Sequence, residues 1–138
     1  MHASWPYQDE LIALTKHFTN VYADLCWAWS MAPRTTAEFV RHYLHAAPAN
    51  KLFAFGGDTS WPVMSVGYAL QARKWIACAL EAEICEGRLD EKHALEFARM
   101  IMHDNQYAFF DIEGRREALK AVATAGSPFL EEREPPLP

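Results

Sequence analysis

Three short stretches of this chain hold residues that could do chemistry. His2 stands just ahead of an apolar-periodic segment, while Trp27, Trp29 and Arg34 follow a short stretch rich in aromatic and β-branched residues. Gly56, Gly57, Asp58, Thr59, Ser60 and Trp61 follow a continuous apolar run. A carboxylate such as that of Asp58, set beside a water molecule, can accept a proton and deliver it later to a leaving group. The two glycines before it let the backbone turn tightly with no side chain in the way. The same Gly-Gly-Asp also serves as an ordinary Asx-type turn ahead of a helix. Arg34 carries a planar fork suited to a carboxylate or phosphate group. The competing reading has Arg34 solvated and the Trp29 and Trp61 rings covering a rim of the fold.

For these groups to meet, the chain must bring three segment ends to one place. Pro6 suits a helix start, and Leu11, Leu14, Thr15 and Phe18 recur at helical spacing, which predicts a helix over roughly 6–17. Residues 20–27 read as a strand with Tyr22, Asp24 and Cys26 on one face, followed by a loop to Pro33. Thr35 and Glu38 have capping-box spacing and predict a second helix, with Phe39, Val40, Tyr43 and Leu44 as its apolar stripe and an end near Pro48. Leu52 to Phe55 has the length and continuity of a strand covered on both faces. A long helix over about 63–86 follows, with Val66, Leu70, Ile76, Leu80 and Ile84 in period and Gly87 as its stop. Asp90 caps a further helix to about Asp104, and a shorter one spans about 114–124. The proline-rich end, 127–138, reads as a flexible tail and leaves 1–126 as the folded part.

Helix, strand, helix, strand, long helix is the alternation of a parallel α/β protein with right-handed crossovers. In such folds functional groups collect beyond the carboxyl ends of the strands. This predicts parallel pairing of the two strands, with His2, the Trp29 loop and Asp58 on one rim. Two strands leave backbone donors and an apolar face open, so the alternation implies a piece of a larger sheet or barrel.

The segments His2-Ala-Ser-Trp-Pro-Tyr, Asn20-Val-Tyr-Ala-Asp-Leu and Phe55-Gly-Gly-Asp-Thr-Ser-Trp-Pro resemble the amidohydrolase-related family, metal-dependent hydrolases that include some decarboxylases and isomerases. The resemblance implies an α/β fold, a helix-rich partial TIM (β/α)8 barrel made of roughly the last three β/α units. By the same resemblance His2 matches the metal-binding His after the sixth strand, and Asp58 the metal-binding and catalytic Asp after the eighth. Trp29, Arg34 and Trp61 then fall on substrate-facing loops, and the cofactor is a divalent metal, zinc by expectation. His ligands and a carboxylate with an open position for water suit such an ion.

The family's His-x-His pair, its fourth-strand residue and its fifth-strand His have no counterpart here, and a whole barrel takes about 250 residues. The expectation is therefore a C-terminal fragment of a hydrolase acting on C–N or C–O bonds with metal-activated water. Such a fragment needs the missing part of the barrel or further copies of itself; the metal is then expected in the complete barrel, and little activity in the isolated chain. The alternatives are a decarboxylase of the same superfamily and a non-catalytic remnant or dimerisation module.

Composition bounds these readings. Of the 138 residues, 51% are hydrophobic and 22% charged, which is a globular composition, and a net charge of −5 gives no reason to approach a phosphate backbone. The partner expected is a small-molecule substrate rather than nucleic acid or membrane. No apolar stretch is long enough for a bilayer and no signal peptide opens the chain, so the expected location is cytoplasmic. Cys26, Cys78 and Cys85 are odd in number and read as reduced thiols. His17, His42, His45, His93 and His103 fall within helices as surface residues, and Asp24 is either a strand-end cap or a partner for a cation.

Overall fold

The computed structural model describes residues 1–124; the proline-rich 127–138 segment lies outside the described residues. A left-handed 3-10 turn, His2–Ser4, leads into α1 (Gln8–His17), β1 (Ala23–Asp24), a short α2 (Ala28–Met31) and α3 (Pro33–Ala46). A 3-10 turn, Ala49–Lys51, precedes β2 (Leu52–Phe53), then come α4 (Pro62–Cys85) and α5 (Glu91–Arg99). A π-helical turn, Met100–Asp104, continues α5 into α6 (Asn105–Phe109), and α7 (Ile112–Thr124) follows. Residues 1–105 form one compact unit, and a second begins at Gln106.

The partial barrel expected from the alternation is not what the chain builds. The structure is mostly helical, and the described residues hold a single two-stranded sheet with two paired residues in each strand. The strands do run parallel, with Ala23 opposite Leu52 and Asp24 opposite Phe53. The sheet needs no further strands because helices take over its hydrogen bonds. Leu25 N–H donates to Phe53 O at 2.9 Å, and Ala54 N–H donates to Ile101 O at 2.9 Å. The indole of Trp29 donates to Ala54 O at 2.7 Å, and the Asn105 amide donates to Leu52 O at 2.8 Å. A π-turn shifts the helical hydrogen-bonding ladder by one residue, which fits Ile101 O serving the strand.

Local sequence explains most helix boundaries. Pro33 starts α3 two residues before Thr35, because its missing N–H falls where a helix leaves its amides unpaired anyway. The expected capping box therefore does not form, and Glu38 faces Arg41 at 3.3 Å instead. Phe39, Val40 and Tyr43 are buried as the stripe requires. In α1 the buried positions are Gln8, Leu11, Ile12 and Thr15, whereas Leu14 and, just past the helix end, Phe18 are exposed. Lys51 Nζ closes that helix by donating to Thr15 O and Phe18 O, carbonyls of its last turn. Asp90 caps α5 through its Oδ1, which accepts from His93 N–H at 2.8 Å. Gly87 takes φ +69° beyond the end of α4, where a side chain would be strained.

α4 is packed from Ala72 onward. Ala72, Ile76, Ala79 and Leu80 are buried, while Val63, Val66 and Leu70 in its first half stand exposed. No described helix is long and apolar enough to cross a membrane. The packed part of α4 carries Glu83, which is wholly buried. Its carboxylate accepts from Arg41 Nε at 2.6 Å and pairs with His45 Nε2 at 2.5 Å, tying α4 to α3. His45 is exposed, as expected of a surface residue, and pairs with Glu83 from that position. Burial by itself would push the Glu83 carboxyl up, but the hydrogen bonds from His45 and Arg41 hold it below the ordinary range.

A carboxyl with a depressed folded-state pKa contributes stability that is complete above the unfolded value and lost as pH falls through the folded one. Urea midpoints measured from pH 7 downwards should therefore fall through the acid range, and Glu83→Gln should flatten that fall. Glu83→Ala at pH 7 should cost about 1.5–3 kcal/mol, the range for lost hydrogen bonds to a charged group, since Arg41 keeps Glu86 and Glu38 as partners. An unchanged midpoint in Glu83→Ala would remove the network from the account of stability.

Candidate metal centre

Beyond the carboxyl ends of β1 and β2, three segments converge. The His2–Ser4 turn is anchored by fully buried Ala3 and sets the imidazole against the Trp27 ring, with centroids 5.6 Å apart. His2 Nε2 lies 3.5 Å from Asp58 Oδ2, and both side chains are about one-third to two-fifths exposed, at 33% and 41%. Donor atoms of His2, Cys26 and Asp58 all lie within 4.8 Å of one another. The N–H of Trp27 approaches His2 Nδ1 at 3.4 Å, a long contact for a hydrogen bond.

All three of these residues hold left-handed backbone conformations, with φ of 56° at His2, 36° at Cys26 and 34° at Asp58. Such conformations cost a non-glycine residue on the order of 1 kcal/mol each and gather where function needs a particular side-chain placement. Asp24 holds the second bend, its Oδ1 accepting from Cys26 N–H at 2.9 Å. Gly56 keeps the space in front of the cluster open. A Cβ there would come within 3.3 Å of Cys26 Sγ and 3.5 Å of each Asp24 carboxylate oxygen. A Cβ on Gly57 would sit 2.8 Å from Ser65 Oγ, so a side chain there would have to turn that hydroxyl aside.

The site gathers negative charge. Burial raises the Asp24 carboxyl above its ordinary range, against the pull of the Cys26 amide, and the Asp58 charge adds to the rise. Burial, then the charges of Asp24 and Asp58, push the Cys26 thiol up to about 11. The N-terminal ammonium and His2 oppose the rise at Asp24. One donor pair has a metal's ligand spacing: a tetrahedral ion with bonds of about 2.0–2.3 Å sets its donors roughly 3.3–3.7 Å apart, and His2 Nε2 and Asp58 Oδ2 fall in that span, while the three donors together spread to 4.8 Å.

The other expected site residues divide. Trp61 does border the site, lining an open pocket with Trp27, Asp58, Thr59, Ser60, Met64 and Tyr68. Trp29 does not face substrate. The loop expected around it is helix α2, and its ring is 1% exposed and bonded to Ala54 O. The indole is large and apolar with one donor, and β2 offers it both a core and an acceptor. Arg34 lies at the start of α3, lining a groove with Ala37, Glu38, Arg41, Trp75 and Cys78 rather than the pocket beside Asp58. The sequence reads Cys26 as a reduced thiol on a strand face, and only the turn into α2 brings its sulfur to the cluster. Comparisons with protein-family models, curated proteins and solved structures find no match for this chain.

Replacing Trp29 with Phe should cost about 1–3 kcal/mol, because it leaves Ala54 O without its donor, and should leave metal affinity unchanged. Chemical denaturation with a parallel zinc titration measures both. A loss of affinity matched by no loss of stability would put Trp29 back at the site.

Proposed function

We propose that the chain holds a divalent metal ion between His2 and Asp58 and uses it to hydrolyse a C–N or C–O bond in a small-molecule substrate. The observation that carries this reading is the 3.5 Å approach of His2 Nε2 to Asp58 Oδ2 across 55 intervening residues, with both residues in left-handed conformations. The resemblance of the His2, Asn20 and Phe55 segments to amidohydrolase-related proteins supports it. The barrel architecture of that family forms no part of the proposal.

A bound divalent ion would supply a polarised water that loses its proton near neutral pH. His2 would hold the ion through Nε2, with its ring proton on Nδ1 and the long contact from the Trp27 amide given up. Asp58 would hold it through one oxygen and, with the other, would accept a proton from water and pass it to the leaving nitrogen or oxygen. Trp61, Met64 and Tyr68 form the wall of the open pocket and receive the apolar body of the substrate, with the Thr59 and Ser60 hydroxyls at its edge. Zinc is the expected ion.

Isothermal titration of the metal-free chain with Zn2+ should show one site. His2→Ala and Asp58→Asn should each weaken it by roughly tenfold or more, since loss of a ligand's supporting partner alone reaches that range. Turnover of simple amides or lactones that requires the metal and disappears in Asp58→Asn would establish the hydrolytic step. Binding that neither substitution changes would refute the centre.

A second reading, an interaction module, is favoured by one feature. The first turns of α4 expose Trp61, Val63, Val66 and Leu70 beside the pocket, and a contiguous apolar patch of that kind marks an association surface. Sedimentation equilibrium separates the readings: self-association abolished by Val63→Glu and Val66→Glu, with no metal binding, favours the module.

A further inference from the structure

We infer that Cys26 is a third protein ligand of this centre, and that its thiolate selects a borderline ion such as Zn2+ or Co2+ over Mg2+. The inference rests on the His2–Asp58 centre proposed above and adds a donor that the resemblance does not include. Cys26 Sγ stands within 4.8 Å of the donor atoms of both residues. The backbone is bent to put it there: Cys26 has φ 36°, and Asp24 Oδ1 receives its amide at 2.9 Å. The sulfur makes only a weak contact of its own, 3.6 Å to Gly56 O, and the absence of a side chain on Gly56 leaves its approach to the cluster clear. Cys78 and Cys85, by contrast, lie exposed along α4 and take no part in the cluster.

Nitrogen, sulfur and carboxylate oxygen from three segments leave one tetrahedral position for water, the arrangement of a catalytic rather than a closed structural zinc site. As the sulfur–metal bond forms, the thiol proton leaves to solvent, and nothing is oxidised or reduced. A soft thiolate favours zinc and cobalt, whereas Mg2+ takes oxygen donors and keeps its waters.

The test uses the full chain carrying Cys78→Ser and Cys85→Ser, so that Cys26 is its one remaining thiol. Titration with Co2+ should produce a sulfur-to-cobalt charge-transfer band in the near ultraviolet that saturates at one equivalent. Zn2+ should abolish the band stoichiometrically, and a large excess of Mg2+ should leave it intact. Adding Cys26→Ser should remove the band and weaken binding by roughly tenfold or more, with the cooperativity of thermal unfolding checked alongside. Should that variant fail to fold, the band in the Cys26-only chain still decides. Cobalt bound without the band would overturn Cys26 as a ligand while leaving the His2–Asp58 centre standing. If neither Co2+ nor Zn2+ binds, both fail.

Discussion

A two-residue parallel strand pair cannot persist unless its outward-facing backbone groups find partners, and the way this chain supplies them governs its architecture. Buried amides and carbonyls left unpaired each cost about 1–3 kcal/mol. Around β2 the partners come from helices: the Ile101 carbonyl, the Asn105 amide and the Trp29 indole. Those three bonds pin α2 and the π-turn after α5 to the strand. The pairing of Leu25 with Phe53 then fixes the direction in which the chain leaves β1.

The candidate centre is a consequence of that pinning. Parallel strands direct their carboxyl ends the same way, so the residues that follow β1 and β2 emerge together. The turn at His2–Ser4 adds a third contribution, held by the burial of Ala3. Left-handed backbone at His2, Cys26 and Asp58 is tolerated because the packing around each is set elsewhere, by the sheet, by the Asp24 side chain and by the Gly-Gly approach to α4.

Between α3 and α4, Glu83 shows how a helical protein of this size joins two of its helices with charge. A fully buried carboxylate is costly unless nearly all of its oxygen lone pairs are engaged, and Arg41 and His45 engage both oxygens. The first half of α4, which has no such partner, remains on the surface with its apolar residues exposed.

Much of the local structure follows from sequence alone. Pro33, Asp90 and Gly87 act within one turn of themselves, so helix ends could be read from them. The parallel pairing follows from the helical crossover between the two strands and brings Cys26 and Asp58 out on one side, whereas His2 reaches Asp58 from a 3-10 turn and not from the strand end that the alternation implied. The partial barrel did not follow. Helical and strand alternation is compatible with many sheets, and the residues that seal this one lie far along the chain, at Ile101 and Asn105. Periodicity likewise marks which residues of α4 are apolar, but only packing decides that Ile76 is inside and Val66 outside. The same holds for Trp29 and Cys26. Their types are visible in the sequence, whereas one becomes a core donor and the other a neighbour of His2 and Asp58 only because α2 begins directly after β1. Patterns within a turn or two are set by local sterics and hydrogen bonding, while contacts between distant segments depend on how the whole chain closes its polar groups away from water.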